Sequence, residues 1–196
     1  MRFISYYTEN TPYQKVMLTH LFPSVKACGL DYYIKPIKDL GNWNKNTSYK
    51  SQFIKEAMEK YKEDVVFLDA DSIIHRRPRL FFELDKKYDI AVHYLDWNLQ
   101  WRGHTGEKRE LLSGTMMFRY NDKILTLLDE YIETCEKNPN VWEQKLLQTI
   151  ISNNKELKVY NLPATYCTVI LHNGKVPPHI KKPVIVHYQA SRKFKK

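Results

Sequence analysis

Apolar residues follow two different periods along this chain, and segments of the two kinds alternate. Short apolar runs, typical of strands, are predicted over residues 3–7, 30–34, 65–68, 89–94, 111–118, 158–160, 167–170 and 183–188. Apolar residues that recur every three or four positions predict helices over residues 12–27, 49–60, 122–137 and 141–153, with a short helix or turn at 80–84. This alternation indicates an α/β domain with parallel strands.

Local signals mark the ends of the first two predicted helices. Thr11 is a suitable N-cap for the first helix, and Pro12 fits its first helical position. Pro23 lies inside that helix and is expected to kink or split it. The second helix is expected to follow a polar loop over residues 39–46, with Thr47 or Ser48 as its cap.

Two carboxylates, Asp69 and Asp71, follow the apolar strand of residues 65–68. A buried strand does not accommodate two acids in its middle, so we expect them where the strand ends. In open α/β sheets, ligands bind at the carboxyl ends of strands. Carboxylate oxygens there suit Mg²⁺ or Mn²⁺ and, through the ion, phosphates. The alternative is a strand end with a turn-forming and a helix-capping aspartate.

His187 ends the last predicted strand. If that strand and the Asp69–Asp71 strand lie in one sheet and point the same way, their ends converge. Two carboxylates and an imidazole suit Mn²⁺ better than Mg²⁺ and leave positions open for phosphate oxygens. Taken alone, His187 fits a strand-end histidine with a satisfied hydrogen bond better than a metal ligand.

Several further residues suit an anionic ligand. Lys50 is expected near a helix N-terminus, where backbone N–H groups already favour anions. Arg192 and Lys193 can neutralise a diphosphate leaving group. In the turn of residues 113–115, Gly114 lets the backbone approach a ligand closely. The alternative for the lysines and the arginine is a solvated face or a basic tail.

Composition and charge narrow the class of protein. The chain has 196 residues, of which 43% are hydrophobic and 27% charged, as expected for one globular domain. It shows no apolar run of the roughly 20 residues that span a membrane and no signal segment, so a cytoplasmic location is expected. Its net charge of +9 favours an anionic partner: a nucleotide, a nucleic acid or an anionic membrane.

Other chemistries lack their motifs. The sequence has no dinucleotide-binding Gly-x-Gly-x-x-Gly, no Walker lysine motif and no Gly-x-Ser-x-Gly elbow. A nucleotidyltransferase would normally need a Gly-rich, Arg- or Lys-bearing loop after the first strand, which residues 8–12 do not provide. A non-enzymatic basic nucleic-acid-binding module remains an alternative, because the chain is basic and rich in Trp and Tyr.

Four motifs in order resemble those of GT-A-fold glycosyltransferases, closest to the Mn²⁺-dependent, retaining glycogenin and galactosyltransferase group. They comprise residues 49–54 after Trp43, residues 65–71 with 78–81, residues 113–118, and residues 142–144 with His187. The resemblance covers nearly the whole chain. It implies one GT-A (Rossmann-like) domain over residues 1–196, with a mixed, mostly parallel central sheet flanked by helices.

The resemblance also implies roles for individual residues. Asp69, Asp71 and His187 would hold Mn²⁺ or Mg²⁺. Glu143, which replaces the usual Asp, and Gln144 would be catalytic, with Gln144 facing the anomeric region of the sugar. The remaining residues would bind the nucleotide-sugar: Ser5, Tyr6, Tyr7, Thr8, Lys50, Asp69, Ala70, Asp71, Ser113, Gly114, Thr115, Arg192 and Lys193.

The function that the resemblance implies is transfer of a sugar from a nucleotide-diphospho-sugar, expected to be a UDP-sugar, with retention of configuration. The acceptor stays open among a glycan, a lipid-linked sugar, a protein and DNA. A glycosyltransferase acting on modified DNA bases would combine the fold with the basic charge. The irregular segment of residues 97–109 would then grip a base that is flipped out or single-stranded.

Overall fold

The computed structural model describes residues 1–100 and 109–194. Its strands are β1 (Arg2–Thr8), β2 (Tyr32–Ile37), β3 (Val65–Leu68), β4 (Ser72–Ile74), β5 (Ile90–Asp96), β6 (Arg109–Phe118), β7 (Val159–Asn161), β8 (Thr168–Val169) and β9 (Ile185–His187). Its helices are α1 (Pro12–Thr19), α2 (Leu21–Ala27), α3 (Trp43–Tyr61), α4 (Arg79–Glu83), α5 (Trp97–Gln100), α6 (Asp122–Lys137), α7 (Glu143–Asn153) and α8 (Ser191–Phe194). Within the described ranges, none of these helices is both long and apolar enough to cross a bilayer.

Six strands form the central sheet in the order β2-β1-β3-β6-β5-β7, and of these six β6 runs against the others. The last part of β6 pairs with β3, with Thr115 opposite Leu68, so the first part of β6 extends past the carboxyl end of β3. Asp69, just beyond β3, donates its backbone N–H to the Gly114 carbonyl at 2.9 Å. The predicted α/β fold, with a mixed and mostly parallel sheet, is confirmed.

Helices cover both faces of this sheet. Side chains of α3, α6 and α7 form one apolar cluster against the sheet, and side chains of α2 and α4 form a second one on the opposite face. Because side chains alternate along a strand, Val65 and Phe67 of β3 join the first cluster, whereas Val66 and Leu68 join the second. All four are at most 1% exposed, which explains why this strand is continuously apolar in sequence.

A second, smaller sheet brings His187 close to the aspartates. After β3 the chain turns, with the Ser72 N–H and hydroxyl both donating to the Asp69 carbonyl at 3.0 and 2.8 Å. It then enters β4 of a separate sheet ordered β4-β9-β8. β9 is antiparallel to β4 and places His187 opposite Ser72. The strand before Asp69 and the strand that ends in His187 therefore lie in different sheets, and their side chains converge nonetheless.

The predicted first helix is interrupted three residues before Pro23, not at it. His20 separates α1 from α2 with φ −115° and ψ −76°. Pro23 lies in the first turn of α2, where its missing N–H has no helical partner to lose. The predicted start of this region is confirmed: Thr11 caps α1 through its side chain, and Pro12 follows as the first helical residue.

Helix α3 begins earlier than predicted, and this changes the setting of Lys50. Asn42 is the N-cap, and its side chain accepts the Lys45 N–H at 2.9 Å. Neither Thr47 nor Ser48 caps the helix, and the Thr47 hydroxyl donates to the Trp43 carbonyl within it. Lys50 therefore lies about two turns inside α3, where the backbone N–H groups are already paired.

Candidate active site

A cavity of about 550 Å³ opens at the carboxyl ends of β1 and β3. Most of the residues predicted to bind the donor line it: Tyr6, Tyr7, Thr8, Lys50, Asp69, Ala70, Asp71, Ser113, Gly114, Glu143, Gln144, His187 and Arg192. They come from both sheets and from α3, α7 and α8. Strands that are far apart in sequence thus deliver polar groups to one place.

Two predicted donor-binding residues lie outside the cavity lining. Ser5 is 1% exposed and lies on the same face of β1 as Phe3. Phe3 belongs to the apolar cluster on one face of the sheet, and Tyr6 packs against the cluster on the other face. Thr115 is fully buried, and its hydroxyl lies 2.7 Å from His187 Nε2. Thr115 therefore contacts the imidazole and not the cavity, and the prediction that Ser5 and Thr115 border the donor has no support in this geometry. The side chain of Lys193 and residues 101–108, most of the predicted acceptor-gripping segment, lie outside the described residues.

Asp69, Asp71 and His187 form a compact cluster, in which one possible ligand atom from each lies within 4.8 Å of the others. The structure holds each group in place before any ligand binds. The Ala190 N–H donates to Asp71 at 2.7 Å, Lys50 Nζ lies 3.2 Å from Asp69, and Thr115 fixes the imidazole. His187 Nδ1 lies 3.8 Å from the Asp71 carboxylate.

The electrostatics keep Asp71 ionised. Burial by itself raises the pKa of this carboxyl, but His187, the Ala190 N–H and Lys50 outweigh it and leave the pKa below its usual value. Two carboxylate groups and one imidazole are the ligands that a divalent ion such as Mn²⁺ accepts. The residues present therefore fit a divalent metal site, as the sequence predicted.

Gly114 makes this cluster sterically possible. A Cβ atom at this position would lie 2.9 Å from His187 Cε1 and 3.0 Å from both His187 Nδ1 and Asp69 Oδ2. Carbon atoms need about 3.5 Å or more for a favourable contact. The β6 backbone thus lies directly against the possible metal ligands, and only a glycine leaves room for them.

Lys50 is buried in a polar network. Its ammonium lies 2.8 Å from Glu143 Oε1, 2.9 Å from Ser113 Oγ and 3.2 Å from Asp69 Oδ1. Burial alone lowers the pKa of Lys50, but Asp69 and Glu143 more than offset it, so the pKa is raised and the ammonium stays charged. Lys50 is 3% exposed, and its charge therefore acts mainly on these two carboxylates.

Glu143 and Gln144 begin α7, and the structure turns both side chains toward β6. Burial raises the pKa of Glu143, while Lys50 and the Ser113 hydroxyl oppose this shift. The Gln144 side-chain oxygen accepts the Ser113 N–H at 3.1 Å, and its amide nitrogen donates to Glu110 at 2.7 Å. Glu110 was missed in the sequence. The two-residue period of β6 places it on the face of Leu112 and Gly114, and all three line the cavity.

Aromatic side chains form another part of the cavity wall. Trp43 and Trp142 are in contact, with ring centroids 5.6 Å apart, and Tyr13 and Trp97 also line the cavity. The sequence resemblance included the two tryptophans without giving them a role, because nothing in the sequence shows that the start of α3 meets the start of α7. Arg192 completes this side and donates to the Ile170 carbonyl at 3.1 Å.

Comparison with known proteins defines the class. The fold matches a glycosyltransferase involved in the glycosylation of the major capsid of PBCV-1, with a TM-score of 0.69 and 15% identity over 95% of this chain and 91% of that one. It also matches the galactosyltransferase LgtC, with a TM-score of 0.59 and 8% identity over 96% and 87% of the two chains. Mouse xyloside xylosyltransferase 1 matches with a TM-score of 0.60 and 12% identity over 97% and 98%. These likenesses establish a GT-A fold.

The family follows from the sequence itself. The model of the nucleotide-diphospho-sugar transferase family matches residues 42–195, more than half of the chain. The chain therefore belongs to the nucleotide-diphospho-sugar transferase family and is a transferase. No curated protein sequence is similar enough to be matched to it. The predicted family and enzyme class are confirmed.

Proposed function

We propose that this protein transfers a sugar from a UDP-sugar to an acceptor hydroxyl with the help of a divalent metal ion. The observation that carries the proposal is the cluster of Asp69, Asp71 and His187 in the cavity of a chain that belongs to the nucleotide-diphospho-sugar transferase family. These three residues would hold Mn²⁺ or Mg²⁺, which would supply positive charge to stabilise the departing nucleoside diphosphate.

The protein's own residues position the donor. The nucleoside lies along Tyr6, Tyr7 and Thr8 at the end of β1, where Tyr6 is fixed by donating its hydroxyl to the Asn46 carbonyl at 2.7 Å. The Arg192 guanidinium adds positive charge on the diphosphate side of the cavity. Lys50 keeps Asp69 oriented, because it bridges Asp69 and Glu143.

The sugar lies against the start of β6 and of α7, beside Ser113, Gly114 and Gln144. Glu143 is 1% exposed and engaged by Lys50 and Ser113, so it shapes this wall and is not a free nucleophile. Retention of configuration is proposed on the family resemblance alone. The acceptor is a glycan, a lipid-linked sugar, a protein or DNA.

A donor screen tests the proposal without a known acceptor. UDP-sugars and GDP-sugars are incubated with the protein and Mn²⁺, and release of the nucleoside diphosphate is measured. We expect turnover of at least one UDP-sugar, loss of that turnover after chelation, and loss in Asp71→Ala. Asp85→Ala, the same change in an exposed turn, is expected to retain it. Turnover that persists in Asp71→Ala would refute the assigned metal site.

A further inference from the structure

Glu110 lines the cavity but has no part in the function proposed above. It lies near the start of β6, and each of its carboxylate oxygens has a different partner. Oε1 accepts from the Gln144 amide nitrogen at 2.7 Å, and Oε2 accepts from the indole N–H of Trp97 at 2.9 Å. One carboxylate therefore joins two cavity side chains from different elements, α7 and α5.

These contacts determine which way the Gln144 amide points. Its oxygen accepts the Ser113 N–H at 3.1 Å, and its nitrogen donates to Glu110. A flipped amide would place its oxygen against the Glu110 carboxylate and its NH₂ group against the Ser113 N–H, so both bonds would be replaced by repulsive contacts. The Gln144 oxygen also lies 3.4 Å from the Ser113 hydroxyl, and among the described residues the second N–H of the amide stays available to a ligand.

We propose that Glu110 is a positioning residue that fixes the orientation of Gln144 toward the donor sugar and couples it to Trp97. This inference rests on the proposed function, because Gln144 acts on a sugar only if the cavity binds one. A charge-assisted bond from an amide to a carboxylate is stronger than one to a neutral acceptor, which makes the carboxylate the feature to remove. Glu110 itself does not touch the reacting atoms.

Glu110→Gln is the informative change, because it keeps the size of the side chain but leaves only one acceptor oxygen for two donors. We expect kcat for turnover of the UDP-sugar to fall by about tenfold or more, because a small misplacement of a group at the reacting centre is costly. The KM for the donor and the affinity for UDP with Mn²⁺ are expected to change by less than about twofold. An unchanged kcat would overturn the proposal.

A double-mutant cycle separates positioning from general support of the fold. If Glu110 acts through Gln144, Glu110→Gln lowers kcat by less than about twofold once Gln144 is replaced by Ala. The same fold-change in both backgrounds would show that Glu110 acts independently of Gln144. Trp97→Phe removes the indole N–H but keeps the hydrogen bond between Gln144 and Glu110. It is therefore expected to lower kcat less than Glu110→Gln does. Glu83→Gln, an exposed change on α4, is the matched control.

A structural readout does not require turnover. In an NMR spectrum, the Gln144 side-chain NH₂ and the Trp97 indole N–H are expected to give signals that shift in Glu110→Gln but not in Glu83→Gln. Unchanged signals would overturn the positioning role even if the protein transferred no sugar. If the signals shift in Glu110→Gln but the wild-type protein turns over no donor, the contacts are confirmed and the proposed function is refuted.

Discussion

At the scale of single residues, the site depends on the absence of a side chain at Gly114. The His187 ring and the Asp69 carboxylate occupy the space where a Cβ would lie, at 2.9 and 3.0 Å. His187 ends β9 of the small sheet and Asp69 follows β3 of the central sheet, so an added methyl group would push apart two side chains without directly breaking a strand pairing. A clash at this point is therefore expected to alter ligand binding before it alters the fold.

Gly114→Ala is expected to weaken Mn²⁺-dependent binding of UDP by about tenfold or more, because the added methyl group separates the ligands. Calorimetric titration measures the change. Gly174→Ala is the control, since among the described residues no atom beyond its chain neighbours lies within 4 Å of an added Cβ, and its φ of +77° strains an alanine. We expect that variant to lose roughly 1 kcal/mol of stability and to keep its affinity for UDP. Equal affinities in both variants would contradict the role given to Gly114.

Lys50→Met is expected to destabilise the fold by about 3–5 kcal/mol, because it leaves the buried Glu143 carboxylate without its charged partner. Replacing both residues, as Lys50→Met with Glu143→Leu, is expected to recover most of this stability, since no fully buried carboxylate is left unpaired and the Asp69 side chain is 41% exposed. Urea unfolding of the wild type, the single variant and the double variant measures both effects. A double variant no more stable than Lys50→Met would argue against a buried ion pair.

The sequence offered Asp69 and Asp71 as acids at a strand end, and the family resemblance added His187 to them; the structure brings the three side chains together. The sequence could not predict that Thr115 contacts His187, or that Glu110 contacts Gln144. Each of those contacts is between side chains on different elements, and the local sequence carries no record of the partner. Ser5 lies outside the cavity lining because it is buried inside β1, three residues before the strand ends at Thr8, and only the last residues of the strand reach the cavity.

At the scale of elements, a polar residue at the end of one strand links that strand to neighbouring elements. Asp89 precedes β5 and accepts from the Lys158 N–H at 2.9 Å, from Lys123 Nζ at 2.9 Å and from Asn121 Nδ2 at 3.2 Å. It thereby ties β5 to the chain before β7 and to the start of α6. Burial raises the pKa of Asp89, but these partners outweigh it and lower the pKa below its usual value.

The lowered pKa gives a prediction for stability against pH. The unfolded chain protonates Asp89 at a higher pH than the folded protein does, so its stabilisation is complete above the unfolded pKa of about 4. The stabilisation is lost as pH falls through the folded pKa. Asp89→Asn is therefore expected to cost about 1–3 kcal/mol near neutral pH and less in acid. Urea unfolding of the wild type and of Asp89→Asn, near neutral pH and again in acid, tests this. A difference in unfolding free energy that does not change with pH would contradict it.

Helix and strand types were predictable from periodicity, but several boundaries were not. The segment before Thr47 looked like a loop because it is polar, yet it forms the first turns of α3, which Asn42 caps. Strands were predicted around β8 and β9, but β4 was not separated from β3, and the pairing of β4 with β9 was not predicted because these three-residue strands meet only across a long stretch of chain. Pairing of that kind depends on tertiary structure and leaves little periodic signal.

At the scale of the whole molecule, one cavity collects groups from the central sheet, the small sheet and helices on one face. Family membership and the GT-A fold make it a transferase for nucleotide-diphospho-sugars. The net charge of +9 suits a donor that carries a diphosphate. What remains to be measured is whether the three clustered ligands bind that donor through a metal ion.

The most direct measurement is calorimetric titration of UDP into the wild-type protein and into Asp71→Ala, each with Mn²⁺ and again after chelation. The account predicts that wild-type binding requires Mn²⁺, and that Asp71→Ala binds UDP at least about tenfold more weakly, because one of three protein ligands is gone. Thermal unfolding of both proteins checks that the variant is folded. Binding of equal affinity in Asp71→Ala, or wild-type binding that is indifferent to chelation, would contradict the account.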